Sequence, residues 1–238
     1  MDADHPANGV LFPRRSTAVA SPKPRNLAAI VDPKRIGELL RAIEGYSGTP
    51  VTRLALALSP HVFVRPGELR QAEWSEFDFE ANVWRIPAAR MKKRREHVVP
   101  LSHQSLAILQ TLRALTADGR LVFPALGKRD RPMSENTATA ALRRMGFSAD
   151  EMTAHGFRAM ASTTLNESGK WHPDAIERAL AHRDTDQVRA AYHRGAHWDE
   201  RVRMAQWWSD RLDSLRKDAQ IVPFSKVTSE VTSWKNVG

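Results

Sequence analysis

Displacement at an anionic centre makes specific demands. Cations must hold the anionic oxygens, a nucleophile must attack in line, and a donor must protonate the leaving oxygen. A handful of residues in this chain supply those types. Arg65 stands directly before Pro66 in VRPGELR. An arginine at such a helix start projects from the helix's positive end, where a phosphate is favoured. His155 and Arg158 lie three apart in TAHGFR, a spacing that puts both on one helical face. His182 follows in LAH, and Tyr192 comes ten residues later in VRAAY. The chain has only 2 tyrosines, Tyr46 and Tyr192, so the choice of a phenolic nucleophile is narrow. Lys92 sits in the run Arg90-Met91-Lys92-Lys93-Arg94-Arg95 and could donate a proton to a leaving alkoxide.

Each residue alone has an ordinary explanation. Arg65 reads as a surface arginine, Lys92 as a solvated charge, and Tyr192 as a packing residue with a hydrogen-bonded hydroxyl. His-x-x-Arg arises often by chance. As a metal site it is weaker still, because no second His or carboxylate accompanies it at ligand spacing.

The elements that must position these groups are mostly helical. Asp32 followed by Pro33 starts a helix carrying Ile36, Leu39, Leu40 and Ile43 at helical spacing. Pro50 opens a second helix and Pro66 a third. From Trp74 the pattern changes. Phe77, Phe79, Val83, Trp84 and Ile86, then Val98, Val99 and Leu101, fall in short runs that predict a small antiparallel sheet. The basic run 90–95 lies at or near its turn. A helix returns over 103–116, and Leu121-Val122-Phe123 reads as a brief strand. Further helices are predicted at about 134–145, 156–168, 173–181, 185–193 and 197–216. The fold class is mainly α with a small antiparallel β-sheet.

Residues 1–30 read as a leader or linker, broken by Pro6, Pro13, Pro22 and Pro24, with 31–217 as the ordered body and 218–238 as a tail. The leader also carries Arg14, Arg15, Lys23 and Arg25, which would suit a basic arm on phosphates. Hydrophobic residues form 42% of the chain, enough for a core rather than disorder. The net charge of +9 favours a polyanionic partner. The absence of Cys excludes disulfides, a thiolate nucleophile and Cys-based zinc sites. No secretory signal or bilayer-length apolar run is evident, so no membrane is expected and a cytoplasmic location is the default.

Order and spacing change the weight of these weak signals. The series Arg65, Lys92, His155-x-x-Arg158, His182, Tyr192 resembles the active-site signature of the tyrosine recombinases, and most of all the integrases of prophages and genomic islands. The stretches VFVRPGELRQAEWSEFD, WRIPAARMKKRREHVVPLS, HGFRAMASTTLNESG and IERALAHRDTDQVRAAYHR carry the resemblance, which covers about residues 30–216.

The resemblance implies a phage-type integrase catalytic domain. Arg65 and Arg158 would bind the scissile phosphate. His155 would hydrogen-bond a nonbridging oxygen and assist proton transfer, and His182 would help hold the phosphate. Lys92, eight positions before Pro100, would be the general acid, with its neighbour Lys93 left open. Tyr192 would attack, giving a 3′-phosphotyrosine link and a free 5′ hydroxyl. Arg90, Lys93, Arg94 and Arg95 would contact DNA. No metal and no cofactor is implied. The partners would be double-stranded DNA at attachment sites and a homo-tetramer on that DNA, in the bacterial cytoplasm with the nucleoid. Relatives carry DNA-binding modules ahead of the catalytic domain, and about 30 residues are too few for either. A DNA-binding remnant is therefore the alternative expectation. A type IB topoisomerase shares the chemistry but not the prophage-like stretches.

Overall fold

A computed structural model describes residues 28–92, 94–182 and 197–218. The predicted leader up to residue 27, the predicted helix at 185–193 and the tail from residue 219 lie outside the described residues.

Capping chemistry explains where the helices start. The Asp32 carboxylate accepts the Arg35 N–H at 2.9 Å and opens α1 (Pro33–Glu44). Thr49 does the same for α2 (Pro50–Val62), and Ser102 for α4 (His103–Thr116). Between them lies the short α3 (Pro66–Arg70). Beyond α4 run α5 (Thr137–Arg144), α6 (Gly156–Glu167), α7 (Pro173–Ala179) and α8 (Trp198–Lys217). Strands β1 (Phe77–Asp78), β2 (Val83–Ile86) and β3 (His97–Pro100) form one antiparallel sheet in sequence order. Trp84 faces Phe77 on one side and Val99 on the other.

The structure bears out the mainly helical reading but adds a second antiparallel pair. Leu121-Val122-Phe123 is not a strand. Leu121 makes an isolated bridge with Glu73, and the pairing lies just beyond, in β4 (Pro124–Ala125) and β5 (Lys128–Pro132). Strand β5 reads KRDRP and is exposed, so no apolar alternation announces it.

Two apolar clusters share α2 as a wall. Leu56 and Phe63 pack with α1, α5, α6, α7 and α8, through side chains such as Leu39, Leu142, Met160, Ile176 and Trp208. Ala55, Leu58 and Val62 pack with the three-stranded sheet and α4, against Trp84, Ile86, Leu109 and Leu112. Helix α8 closes the first cluster against α1. The approach is close: a Cβ on Gly37 would sit 2.3 Å from the Leu215 carbonyl oxygen.

A buried polar chain ties the two halves. His61 Nδ1 lies 2.8 Å from Ser209 Oγ, which donates to Ser102 Oγ at 2.8 Å, which in turn lies 3.0 Å from Ser105 Oγ. Every member is buried and partnered, as a buried polar group must be. No helix among the described residues is long and apolar enough to cross a membrane.

Candidate active site

Helix α2 ends on Phe63, whose φ of 54° is left-handed, unusual for a bulky residue. The chain then turns through Val64 into Arg65, the residue that opens α3. Glu68 holds Arg65 at two points. One carboxylate oxygen accepts the Arg65 N–H at 2.7 Å, and the other accepts the guanidinium at 2.7 Å. Glu68 itself is 6% exposed, so this is a sheltered, charge-assisted pair. The sequence Arg-Pro-Gly-Glu, with the acid three residues into the helix, is the signal that could have found Glu68.

Arg158 lies in the first turn of α6 and ties two turns together. Its guanidinium donates to the Phe63 carbonyl and to the Leu180 carbonyl. The second turn leads through Ala181, also left-handed at φ 49°, into His182. Arg65 and His182 therefore depend on backbone turns pinned by the same side chain. Burial, then the charge of Arg65, pushes Arg158 down to about 10, against the opposing pull of Glu68 and Glu177. It stays cationic at neutral pH. Two of its five N–H groups are committed to carbonyls, which leaves capacity for an anion.

His155 occupies the N-cap of α6 and is exposed. Burial first, then the charges of Arg158 and Arg65, holds its imidazole below the ordinary histidine range. Those two guanidiniums thus lie close enough to act on one ring, and both disfavour its protonated form. His182 is fixed from α7. Its N–H donates to the Glu177 carbonyl at 2.9 Å, and its Nδ1 lies 2.9 Å from the Glu177 carboxylate. Arg65, His155, Arg158 and His182 are thus joined through α2, α3, α6 and α7. Tyr192 and Lys93 lie outside the described residues.

The basic turn is built differently. Met91 is buried in the sheet-side cluster and anchors it, while Lys92, Arg94 and Arg95 are exposed. Arg94 takes φ 48° and its N–H donates to the Met91 carbonyl at 2.9 Å. Arg90 is placed differently from the exposed cations of the turn. Its guanidinium turns inward to the buried Glu76 carboxylate and to the Glu68 carbonyl, and its side chain is only 15% exposed. Glu76 also accepts the Trp84 indole N–H at 2.9 Å. A buried carboxylate requires a cation, and Arg90 is the one at hand. Through the Glu68 backbone it braces the helix that presents Arg65.

His97 on β3 went unnoticed in the sequence. It is buried, and its Nε2 has no hydrogen-bond partner. Burial, then the charges of Arg201, Arg158 and Arg65, lowers it to about 3. A buried imidazole, disfavoured as a cation, therefore lies within electrostatic range of Arg201, Arg158 and Arg65. Arg201 of α8 is bound there to the Val98 carbonyl.

Known proteins resemble this chain in sequence and in fold. The integrase of Enterobacteria phage P4 is 44% identical over 213 residues, covering 84% of this chain and 48% of its own length. The chain spans about half the length of the curated relatives it matches. Among solved structures, the integrase from mycobacterium phage Brujita matches with a TM-score of 0.57 at 15% identity, over 82% of this chain and 64% of its own. A lambda integrase tetramer bound to a Holliday junction matches with a TM-score of 0.51 at 18% identity, over 72% of this chain and 50% of its own. These structures share the fold. The phage integrase family description fits residues 30–197, the span that holds Arg65, Arg158, the basic turn and Tyr192, and this chain belongs to that family.

Proposed function

We propose that this protein breaks and rejoins DNA at specific sites, with residues 31–217 as the catalytic unit and Tyr192 as nucleophile. The observation that carries the reading is the single guanidinium of Arg158 pinning the turns that lead to Arg65 and His182. Two arginines held in place before substrate arrives suit an anion whose charge spreads during reaction. Arg65 and Arg158 hold the nonbridging oxygens of the scissile phosphate. His155, disfavoured as a cation, hydrogen-bonds the same group and assists proton transfer. His182, oriented by Glu177, steadies the phosphate.

The Tyr192 oxygen attacks phosphorus and passes its proton to the His155 imidazole. The bond to the 5′ oxygen breaks, and Lys92 protonates that oxygen. The product is a 3′-phosphotyrosine diester and a 5′ hydroxyl. One phosphodiester replaces another, so the bond's energy is kept and a partner strand's 5′ hydroxyl can reverse the step. Lys93, Arg94 and Arg95 contact the DNA backbone beside the site. By likeness to the lambda tetramer on a Holliday junction, the working form is a homo-tetramer on two duplexes at attachment sites. A protein with this work acts in the bacterial cytoplasm, at the nucleoid.

Covalent trapping tests the reading. Wild type and Tyr192→Phe are incubated with nicked DNA from a candidate attachment site. Wild type alone should give a denaturation-resistant protein–DNA adduct. DNA binding without an adduct would overturn the proposal. A second arm tests Lys92: a 5′-thio leaving group, which needs little protonation, should restore cleavage to Lys92→Ala.

A further inference from the structure

Away from the arginine cluster, the N-terminal ends of α7 and α8 meet. His172 caps α7, Asp174 lies in its first turn, and His197 caps α8. The two imidazoles stack with centroids 4.7 Å apart and planes 24° from parallel. One donor atom from each of His172, Asp174 and His197 lies within 4.8 Å of the others. Glu200 stands behind them. One of its oxygens accepts the His172 N–H at 2.7 Å, and the other lies 2.7 Å from His197 Nδ1. On the flank, Trp171 packs edge-on against Trp207 and fixes the approach of the His172 segment to α8.

We propose that His172, Asp174 and His197 form a site for a divalent transition-metal ion of the Zn²⁺ type, joining α7 to α8. Two imidazoles and one carboxylate make a donor set such ions favour, with a further position left for water. Hard cations such as Mg²⁺ prefer oxygen and gain little here. Glu200 accepting from His197 Nδ1–H fixes the tautomer that leaves the Nε2 lone pair for the metal, the carboxylate–histidine–metal arrangement. His172 must release a 3.2 Å bond that its Nδ1 accepts from the Asp174 N–H, a long contact that costs little to lose. Metal–ligand bonds of roughly 2.0–2.1 Å at tetrahedral angles place donors about 3.3 Å apart, so the cluster contracts modestly on binding. His197 takes a left-handed φ of 63°, a conformation uncommon for residues other than glycine, though histidine, like asparagine and aspartate, adopts it more often than most.

The ion takes no part in phosphate chemistry. It links the two described elements that flank the Tyr192 stretch in sequence, and it acts on the stability of that joint. The site stands whether or not the recombinase reading holds, because its test needs no DNA.

The experiment uses the untagged full chain and Zn²⁺ alone, followed by thermal unfolding with and without a chelator. At about 100 times its Kd, Zn²⁺ should raise the Tm by about 5 °C, reversibly. His172→Asn keeps a good N-cap and His197→Asn keeps a residue tolerant of left-handed φ, so both should fold. Both, and Asp174→Asn, should lose the shift, while His103→Asn on the surface of α4 should retain it. Co²⁺ bound to wild type should show intense ligand-field absorption that the first two variants lack. An equal shift in all four variants, or no shift and no Co²⁺ spectrum in wild type, would overturn the site.

Discussion

Basic side chains do two different jobs in this molecule, and their surroundings tell them apart. In the interior, Arg158, Arg90 and Arg201 are each bound to backbone carbonyls, and two of them have their charge opposed by burial. In the turn after residue 90, Lys92, Arg94 and Arg95 are exposed and pair with no described carboxylate. Interior cations are fixed before any anion arrives, and their energy is spent on geometry. Turn cations remain hydrated and exert a field. Residue type alone does not separate the classes: Arg90 and Arg94 stand four apart and belong to different ones.

The contrast breaks most visibly at Arg158. Arg158→Lys keeps the charge but cannot tether two carbonyls while offering a planar fork. Adduct formation should fall about 1000-fold, roughly 4 kcal/mol of barrier, with DNA affinity within a few-fold. A rate within ten-fold of wild type, measured in single-turnover trapping, would place the geometry elsewhere.

Acid is the next test. Burial lowers His61 to about 4 and His97 to about 3, the latter helped by three arginines. The unfolded chain binds these protons below about pH 6.5, whereas the folded chain resists them. Stability should therefore fall as pH drops, by on the order of 3 kcal/mol between pH 7 and pH 5. Urea midpoints across that range check it. His61→Asn, which keeps a partner for Ser209, should remove about half of the dependence; an unchanged profile would point to carboxylates instead.

Arg90→Ala comes third. It strands the buried Glu76 carboxylate and should cost about 2 kcal/mol of unfolding free energy. Arg94→Ala should stay within about 0.5 kcal/mol. Equal costs would erase the distinction between the two arginines. The smallest effect belongs to the turn: Arg94→Ala with Arg95→Ala should reduce the slope of log affinity against log salt by about 2, with little change in adduct rate on saturating DNA.

The sequence made the helix starts legible, because Asp32-Pro33, Thr49-Pro50 and Ser102 are local signals that packing does not override. The order of Arg65, Lys92, His155, Arg158, His182 and Tyr192 was legible as a pattern. What escaped was relational. Glu76 and Arg90 become partners only once the sheet folds back over α3. His97 reads as one residue of a strand until Arg65, Arg158 and Arg201 surround it. The hairpin of β4 and β5 turns at Gly127, with φ 71°, and offers no apolar rhythm. The grouping of His172 with His197 needs two helix ends to meet.

The contact of Gly37 with Leu215 sets an order on biosynthesis. Helix α1 leaves the ribosome long before α8 exists, yet α1 covers its apolar face with α8. Until that partner is made, Leu39 and Ile43 lack part of their cover, and the α2 wall is only half clad. The nascent chain therefore exposes sticky surface late into translation, which makes it a natural client for chaperones. The same delay keeps Arg201, an α8 residue, away from the sheet until α8 is made. The contact of α8 with the sheet beside Arg65 and Arg158 is thus made only after every element from α1 to α7 has been synthesised.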